Sequence, residues 1–214
     1  MARIVVVDDH PSTREGLITC IDLESDLEVC GEAADDDDAL ELIKTERPDV
    51  AVIDVSLKTG NGIELIKLVK SQYPRIRMLV WSMYEESLYA ERALRAGAMG
   101  YINKEKVTGV IIDAIRSVLK GDIFLSHEMS SKMVNRMVVG KEAAGKSPVD
   151  ALSDQELETF VLIGRGMKTS EIAERMKLSP KTIATYRARI KEKLDLNDMA
   201  ALTREAAHWV LENG

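Results

Sequence analysis

Short apolar runs that each stop at a polar residue alternate, through the first half of the chain, with segments of helical periodicity. Ile4-Val5-Val6-Val7 stops at Asp8-Asp9, and Val50-Ala51-Val52-Ile53 stops at Asp54. Met78-Leu79-Val80-Trp81 stops at Ser82, Ala98 to Ile102 ends just before Lys104, and Leu27 to Ala33 is a weaker, alternating run. Between them, Ala39-Leu40-Leu42-Ile43 and Ile63-Leu65-Ile66-Val69 repeat with a period near 3.6. Continuous Val and Ile runs suit strands covered on both faces, and their alternation with amphipathic helices predicts βαβ units and a mostly parallel sheet. Pro11-Ser12 and the acidic run Asp35 to Asp38 mark helix starts. The acidic run could hold a metal, but acidic side chains in a first turn complement the helix dipole without one.

The pattern comprises five strands and five helices and ends near Gly121, which predicts an α/β domain over residues 1–122. Residues 123–148 carry no strand signature. They open with a short apolar continuation, pass through a helix-like Met129 to Val139, and end in the small, polar stretch Gly140 to Pro148, a linker composition. Residues 149–214 read as short helices only, a small all-α domain. Ser153 with Glu156 forms a capping-box pattern ahead of the apolar face Leu157, Phe160, Val161 and Ile163. A second helix begins at Thr169-Ser170, with Ser or Thr expected at its cap. Ser179-Pro180 opens a third, running to about Leu194, with Ile183, Ile190 and Leu194 on its core face. Two short helices joined by a tight turn, the second basic, predict a helix-turn-helix.

Charge supports this division of labour. The chain carries a formal net charge of −7, which excludes a generic polyanion binder. Residues 1–122 hold 23 acidic against 15 basic side chains, whereas 149–214 hold 11 against 10. Lys181, Arg187, Arg189, Lys191 and Lys193 face one acid, Glu192, over thirteen residues, and such a local stripe is the footprint of a nucleic-acid binder. A solvated amphipathic helix in a small bundle would carry the same charges. Cys20 and Cys30 lack metal-site spacing and read as reduced thiols, the N-terminus lacks a signal-peptide pattern, and no window has the apolar length of a membrane span. The expectation is a cytoplasmic protein with no membrane partner.

In an open parallel sheet, ligands bind outside the carboxyl ends of the strands. Asp8, Asp9, Asp54, Ser82 and Lys104 all fall there. Crowded carboxylates repel unless a cation joins them, and hard oxygen ligands suit Mg²⁺. The ion would neutralise charge on a transferring phosphoryl group, Lys104 would add a second cation, and the Asp54 carboxylate could accept the phosphoryl as an acyl phosphate. Taken singly the signals are weak, since a strand-terminal aspartate often caps the next helix and a lone Ser82 or Lys104 is usually just solvated.

Together these residues resemble the receiver domains of two-component response regulators, in order and spacing, over the stretch through Lys120. The resemblance implies a flavodoxin-like doubly wound five-stranded parallel domain. In it Asp54 takes a phosphoryl group from a histidine kinase or phosphotransfer protein. Asp8, Asp9, Asp54 and the Ser56 carbonyl hold Mg²⁺, Lys104 pairs with the phosphoryl oxygens, Ser82 moves to bond them, and Tyr101 follows inward as the switch. Met83, where a small residue is frequent, narrows access in this reading, and Lys58, where proline is frequent, loosens the loop after Asp54.

Leu152-Ser153…Glu156, Gly166-Met167-Lys168-Thr169-Ser170-Glu171-Ile172-Ala173, Leu178-Ser179-Pro180-Lys181-Thr182-Ile183 and Lys193-Leu194 together are similar to the LuxR-type four-helix DNA-binding domain. Ala184 and Tyr186 stand where lysine and histidine are frequent. With the receiver, this places the chain in the NarL/FixJ group of response regulators, not among enzymes beyond self-phosphorylation and dephosphorylation. It implies double-stranded DNA as target, contacted by Lys181, Thr182, Thr185, Tyr186, Arg189 and Lys193, with a homodimer on activation and RNA polymerase as a further partner. Two alternatives stay open: a phosphorylation-independent transcription factor whose receiver is a docking module, and a Mg²⁺-dependent phosphohydrolase. The latter would need a cap or substrate pocket that short loops leave little chain to build.

Overall fold

The structure, a computed structural model, describes residues 1–58, 60–105, 109–139 and 148–213. Its first part alternates β1 (Ala2–Val7), α1 (Pro11–Asp22), β2 (Leu27–Ala33), α2 (Asp36–Glu46), β3 (Val50–Ile53), α3 (Gly62–Gln72), β4 (Arg77–Ser82), α4 (Glu86–Ala96), β5 (Gly100–Asn103) and α5 (Gly109–Lys120). The strands form one parallel sheet in the order β2-β1-β3-β4-β5. β1, β3 and most of β4 are buried, as continuous Val/Ile runs demand of central strands covered on both faces. One core, including Ile4, Val6, Val52, Leu79, Ile111 and Ile115, lies between this sheet and α1 and α5.

Helix starts follow their local chemistry. Asp35 caps α2 by accepting from the Asp38 N–H, and Asp36, Asp37 and Asp38 fill the first turn, the dipole-complementing arrangement expected of that run. Beyond α5 the chain departs from expectation. Phe124 pairs in parallel with Gly100, its N–H donating to the Met99 carbonyl at 2.9 Å and its carbonyl accepting from the Tyr101 N–H at 3.0 Å. One residue beside β5 leaves no periodicity to read. The helix expected over Met129 to Val139 is α6 (His127–Val139), and Ser126 starts it by accepting from the Met129 N–H. The linker centre, Gly140 to Ser147, lies outside the described residues.

Contacts divide the chain into two compact units, Met1–Ser130 and Ser131–Gly214, so the division falls inside α6. In the second unit a 3₁₀ turn at Pro148–Ala151 precedes α7 (Asp154–Gly164), α8 (Thr169–Arg175), α9 (Pro180–Lys193) and α10 (Met199–Asn213). The Ser153–Glu156 capping box opens α7 in both directions. Phe160 of α7 meets Trp209 of α10 edge-on, centroids 5.7 Å apart. A Cβ at Gly164 would sit 2.4 Å from the Ala206 carbonyl oxygen, so only glycine lets α7 and α10 approach so closely.

Candidate functional site

Sheet register assembles the site. Val7 pairs with Ile53 and Ile53 with Val80, so the chain leaves β1, β3 and β4 on one rim. Asp8, Asp54 and Ser82 are all buried there. Each loop is anchored by one more backbone bond: Asp54 N–H to the Val7 carbonyl at 2.8 Å, and Lys104 N–H to the Ser82 carbonyl at 2.8 Å. Lys104 crosses the rim. Its ammonium donates to Asp8 Oδ2 at 2.6 Å and to Asp54 Oδ2, and it lies 5.2 Å from the Trp81 ring centre. The Ser82 hydroxyl donates to Asp54 Oδ1 at 2.6 Å, and the Ser56 N–H reaches the same oxygen at 3.3 Å.

Burial pushes the Asp54 carboxyl above its ordinary range; Lys104 and Ser82 oppose that, and the neighbouring Asp8 charge adds to it. Donors to both oxygens thus partly offset a desolvated charge without cancelling its cost. Asp8, Asp9, His10 and Asp54 each offer a ligand atom, all within 4.8 Å of one another. One ammonium among three carboxylates leaves negative charge over, and oxygen donors of this kind fit a hard divalent cation.

Tyr101 on β5 is buried, its hydroxyl donating to the Tyr84 carbonyl at 2.9 Å. Burial first, and the Asp54 charge second, hold its phenol well above the ordinary value, so it stays a donor. The inward movement expected of Tyr101 therefore starts from a ring already inside. Met83 is 55% exposed, and its backbone carbonyl accepts from Asn103 Nδ2 at 3.5 Å. Hydrogen bonds at Lys58 and Asn61 anchor the loop after Asp54. The Lys58 N–H binds the Ala34 carbonyl, Asn61 Oδ1 caps α3 through the Ile63 N–H, and a Cβ at Gly62 would meet the Asp54 carbonyl oxygen at 2.0 Å.

Sequence reasoning missed several neighbours. His10 stands beside the aspartates, with Nδ1 2.7 Å from Asp9 Oδ1, a position its adjacency to Asp8-Asp9 could have signalled. Arg14 of α1 donates to the Asp8 carbonyl and pairs with Glu32 of β2 at 2.6 Å, a link that no spacing announces.

In the second unit α9 buries Ile183 and Ile190, with Leu194 only half-buried just beyond its end. Lys181, Thr185 and Arg189 are exposed on one stripe, and Thr182 and Tyr186 are half-buried beside it. Thr182 also serves the start of the helix, its N–H donating to Ser179 Oγ at 3.0 Å. Lys193 is turned toward α7, donating to Glu156 Oε2 at 2.6 Å and the Ala151 carbonyl at 3.2 Å. Arg187 donates to Thr169 Oγ1 and so ties α9 to α8. The cap of α8 is Lys168 and not the Ser or Thr expected: Thr169 is the first helical residue, and Glu171 Oε2 accepts from the Lys168 N–H at 2.6 Å.

A doubly wound parallel domain with an aspartate, hydroxyl and ammonium converging at its strand ends, followed by a helix-turn-helix, defines a receiver-controlled DNA-binding regulator. Residues 4–116 match the response regulator receiver domain family, and residues 150–206 match the luxR family of bacterial regulatory proteins. The chain belongs to the response regulators that join these two domains, and it is a DNA-binding response regulator of a two-component system. The oxygen regulatory protein NreC of Staphylococcus carnosus is 34% identical over 209 residues, 95% of this chain and 96% of that protein. The response regulator UvrY of Escherichia coli is 29% identical over 213 residues, 100% of this chain and 97% of that protein. A LuxR-family two-component response regulator from Aurantimonas sp. SI85-9A1 superposes with a TM-score of 0.60 at 33% identity, covering 64% of this chain and 99% of that one.

Proposed function

We propose that Asp54 is the phosphoryl acceptor and that its phosphorylation shifts the receiver between two conformations, controlling DNA binding by α9. The observation that carries this is the convergence of Ser82 on Asp54 Oδ1 and of Lys104 on Asp54 Oδ2 in a buried acidic rim. A carboxylate oxygen of Asp54 attacks phosphorus of a phosphohistidine on a histidine kinase or phosphotransfer protein. The P–N bond breaks, the histidine nitrogen keeps the electron pair, and an aspartyl phosphate forms. Lys104, released from direct pairing with the Asp54 carboxylate, pairs with the phosphoryl oxygens, and Ser82 donates to one of them. Asp8, Asp9, Asp54 and the Ser56 carbonyl hold Mg²⁺ or another divalent cation, which when bound supplies charge neutralisation to the transfer. Movement of Ser82 and Lys104 loads the loop that Tyr101 and Asn103 hold through the Tyr84 carbonyl, so the surface of α4, β5 and α5 responds.

In this reading residues 1–122 are the receiver, 123–148 the linker and 149–214 the DNA-binding domain. Lys181, Thr182, Thr185, Tyr186 and Arg189 meet double-stranded DNA, with Lys193 at the edge of the contact. Two recognition helices serve two half-sites in an activated homodimer, RNA polymerase is a downstream partner, and the only chemistry is the receiver's own phosphorylation and dephosphorylation. No helix among the described residues is long and apolar enough to cross a membrane; a cytoplasmic setting belongs to this reading because the DNA it acts on lies there.

Incubation with acetyl phosphate and Mg²⁺, followed by intact-mass measurement, tests the assignment. One labile phosphate, absent from Asp54→Ala, is expected. No adduct in the parent protein would overturn phosphorylation and favour a docking-module receiver; steady release of inorganic phosphate from added phosphomonoesters would favour a phosphohydrolase.

A further inference from the structure

His10 occupies the N-cap of α1 yet makes no side-chain capping bond. Ser, Thr, Asp or Asn would satisfy an orphan N–H there, so histidine is a poor choice for the helix. Its backbone is held all the same: Pro11 follows at the first helical position and favours extended geometry for the residue before it, and His10 has φ −96° and ψ 106°. The His10 N–H donates to Asp8 Oδ1 at 2.8 Å, which pins the residue to the rim. The imidazole is thereby delivered to the carboxylates, Nδ1 lying 2.7 Å from Asp9 Oδ1 and 3.7 Å from Asp8 Oδ1. Its side chain is 62% exposed, so the ring stands at the solvent edge of the carboxylate cluster. A ring nitrogen within 4.8 Å of ligand oxygens from Asp8, Asp9 and Asp54 makes a mixed nitrogen–oxygen donor set.

We propose that His10 is a metal-specificity residue. Through Nδ1 it ligates late first-row transition ions in this pocket and tilts the site toward them relative to Mg²⁺. The inference rests on the reading of the rim as a divalent-cation site. The chemistry follows from ligand type: Mg²⁺ takes oxygen ligands and keeps several waters, so an imidazole adds little to its binding, whereas imidazole suits the later first-row ions. Asp9 supports the arrangement as a co-ligand, its Oδ1 facing the same ring nitrogen.

The test titrates the full-length protein with CoCl₂ and, separately, MgCl₂ by isothermal titration calorimetry, and records the visible absorption of bound Co²⁺, which responds to nitrogen ligation. The variants are His10→Ala and His10→Ser; serine supplies a favoured helix cap without an imidazole, so a folding defect in the first is distinguished from loss of a ligand. The preference for Co²⁺ over Mg²⁺, taken as the ratio of dissociation constants, is expected to fall by about tenfold or more in both variants, with a changed Co²⁺ spectrum. An unchanged ratio, whether both affinities fall together or neither moves, overturns the proposal, as does a Co²⁺ spectrum identical in parent and His10→Ser. Intact mass after acetyl phosphate and Mg²⁺ reports separately on Asp54: an adduct retained alongside an unchanged ratio removes this inference and leaves the phosphorylation reading standing.

Discussion

The Tyr101 N–H donates to the Phe124 carbonyl at 3.0 Å, so the strand that carries Tyr101 also holds the first residues beyond α5. The same segment is clasped a second time, where Glu86 in the first turn of α4 accepts from the Ser126 N–H at 2.8 Å. Ser126 in turn caps α6. Glu86→Ala removes one of these fastenings and leaves the sheet pairing intact. A charge-assisted hydrogen bond is worth about 1.5–3 kcal/mol, so local opening should become at least about tenfold easier. Hydrogen exchange at the Ser126 amide is expected to accelerate by that factor while amides of β1 and β3 hold their rates; equal acceleration everywhere would show global destabilisation instead.

Asp54 is a charge kept at a cost. Burial raises its carboxyl pKa above the unfolded value, with Asp8 adding to the rise and Lys104 and Ser82 opposing it. A raised pKa means that the protonated form favours the fold: the contribution is present below the unfolded pKa and is lost as pH rises through the folded one. At neutral pH, without divalent cation, ionised Asp54 therefore destabilises the receiver. Asp54→Asn removes that charge, and Lys104 keeps Asp8 as partner. The variant is expected to melt higher than the parent at pH 7 in chelator, and the gap should close as pH falls into the carboxylate range. A variant that melts lower at pH 7 would show that the Lys104–Asp54 pair outweighs the desolvation.

Much of this pocket was legible because parallel topology does the assembling. Once Ile4 to Val7, Val50 to Ile53 and Met78 to Trp81 are read as buried parallel strands, Asp8, Asp54 and Ser82 must emerge on one rim, and Lys104 follows from the fifth run. What resisted reading is backbone-borne or mediated by long side chains. Phe124 joins β5 through main-chain bonds that any residue could make, and Arg14 reaches the Asp8 carbonyl through a flexible stem. On α9, spacing alone could not separate an arginine facing solvent, Arg189, from one spent on a neighbouring helix, Arg187.

Glu156 links the start of α7 to the end of α9. Burial pushes its carboxyl up, but the hydrogen bond from Lys193 and the bonds from the Ser153 backbone and side chain more than offset that and hold it below the ordinary value. A depressed pKa contributes stability above the unfolded value, and that stability is lost as pH falls through the folded one. Glu156→Gln preserves an acceptor for the Ser153 N–H and deletes the charge. The expected loss at pH 7 is about 1 kcal/mol, kept modest because the Lys193 side of the pair is open to water. The gap between urea midpoints of parent and variant should begin to narrow at about pH 4, near the unfolded carboxyl pKa, and close once pH lies below the depressed folded one; a deficit that persists there would assign the effect to packing.

Arg187 and Arg189 lie two residues apart on α9 and do different work. Arg187 spends its guanidinium on Thr169 Oγ1, while Arg189 stands exposed on the stripe with Lys181 and Thr185. Arg187→Ala should therefore lower the stability of the helical domain by about 1–2 kcal/mol through the lost tie between α8 and α9. Arg189→Ala should leave the melting temperature near that of the parent and weaken DNA binding. If Arg189 meets a phosphate, its loss weakens binding to all sequences alike and lowers the slope of log K against log salt by about 1; if it meets a base edge, it relaxes one position of the site at a cost of about 1–3 kcal/mol. Fluorescence anisotropy across a KCl series, on one selected operator and one scrambled duplex, separates the two. An Arg189→Ala protein that binds both duplexes like the parent at every salt concentration would remove α9 from the DNA interface.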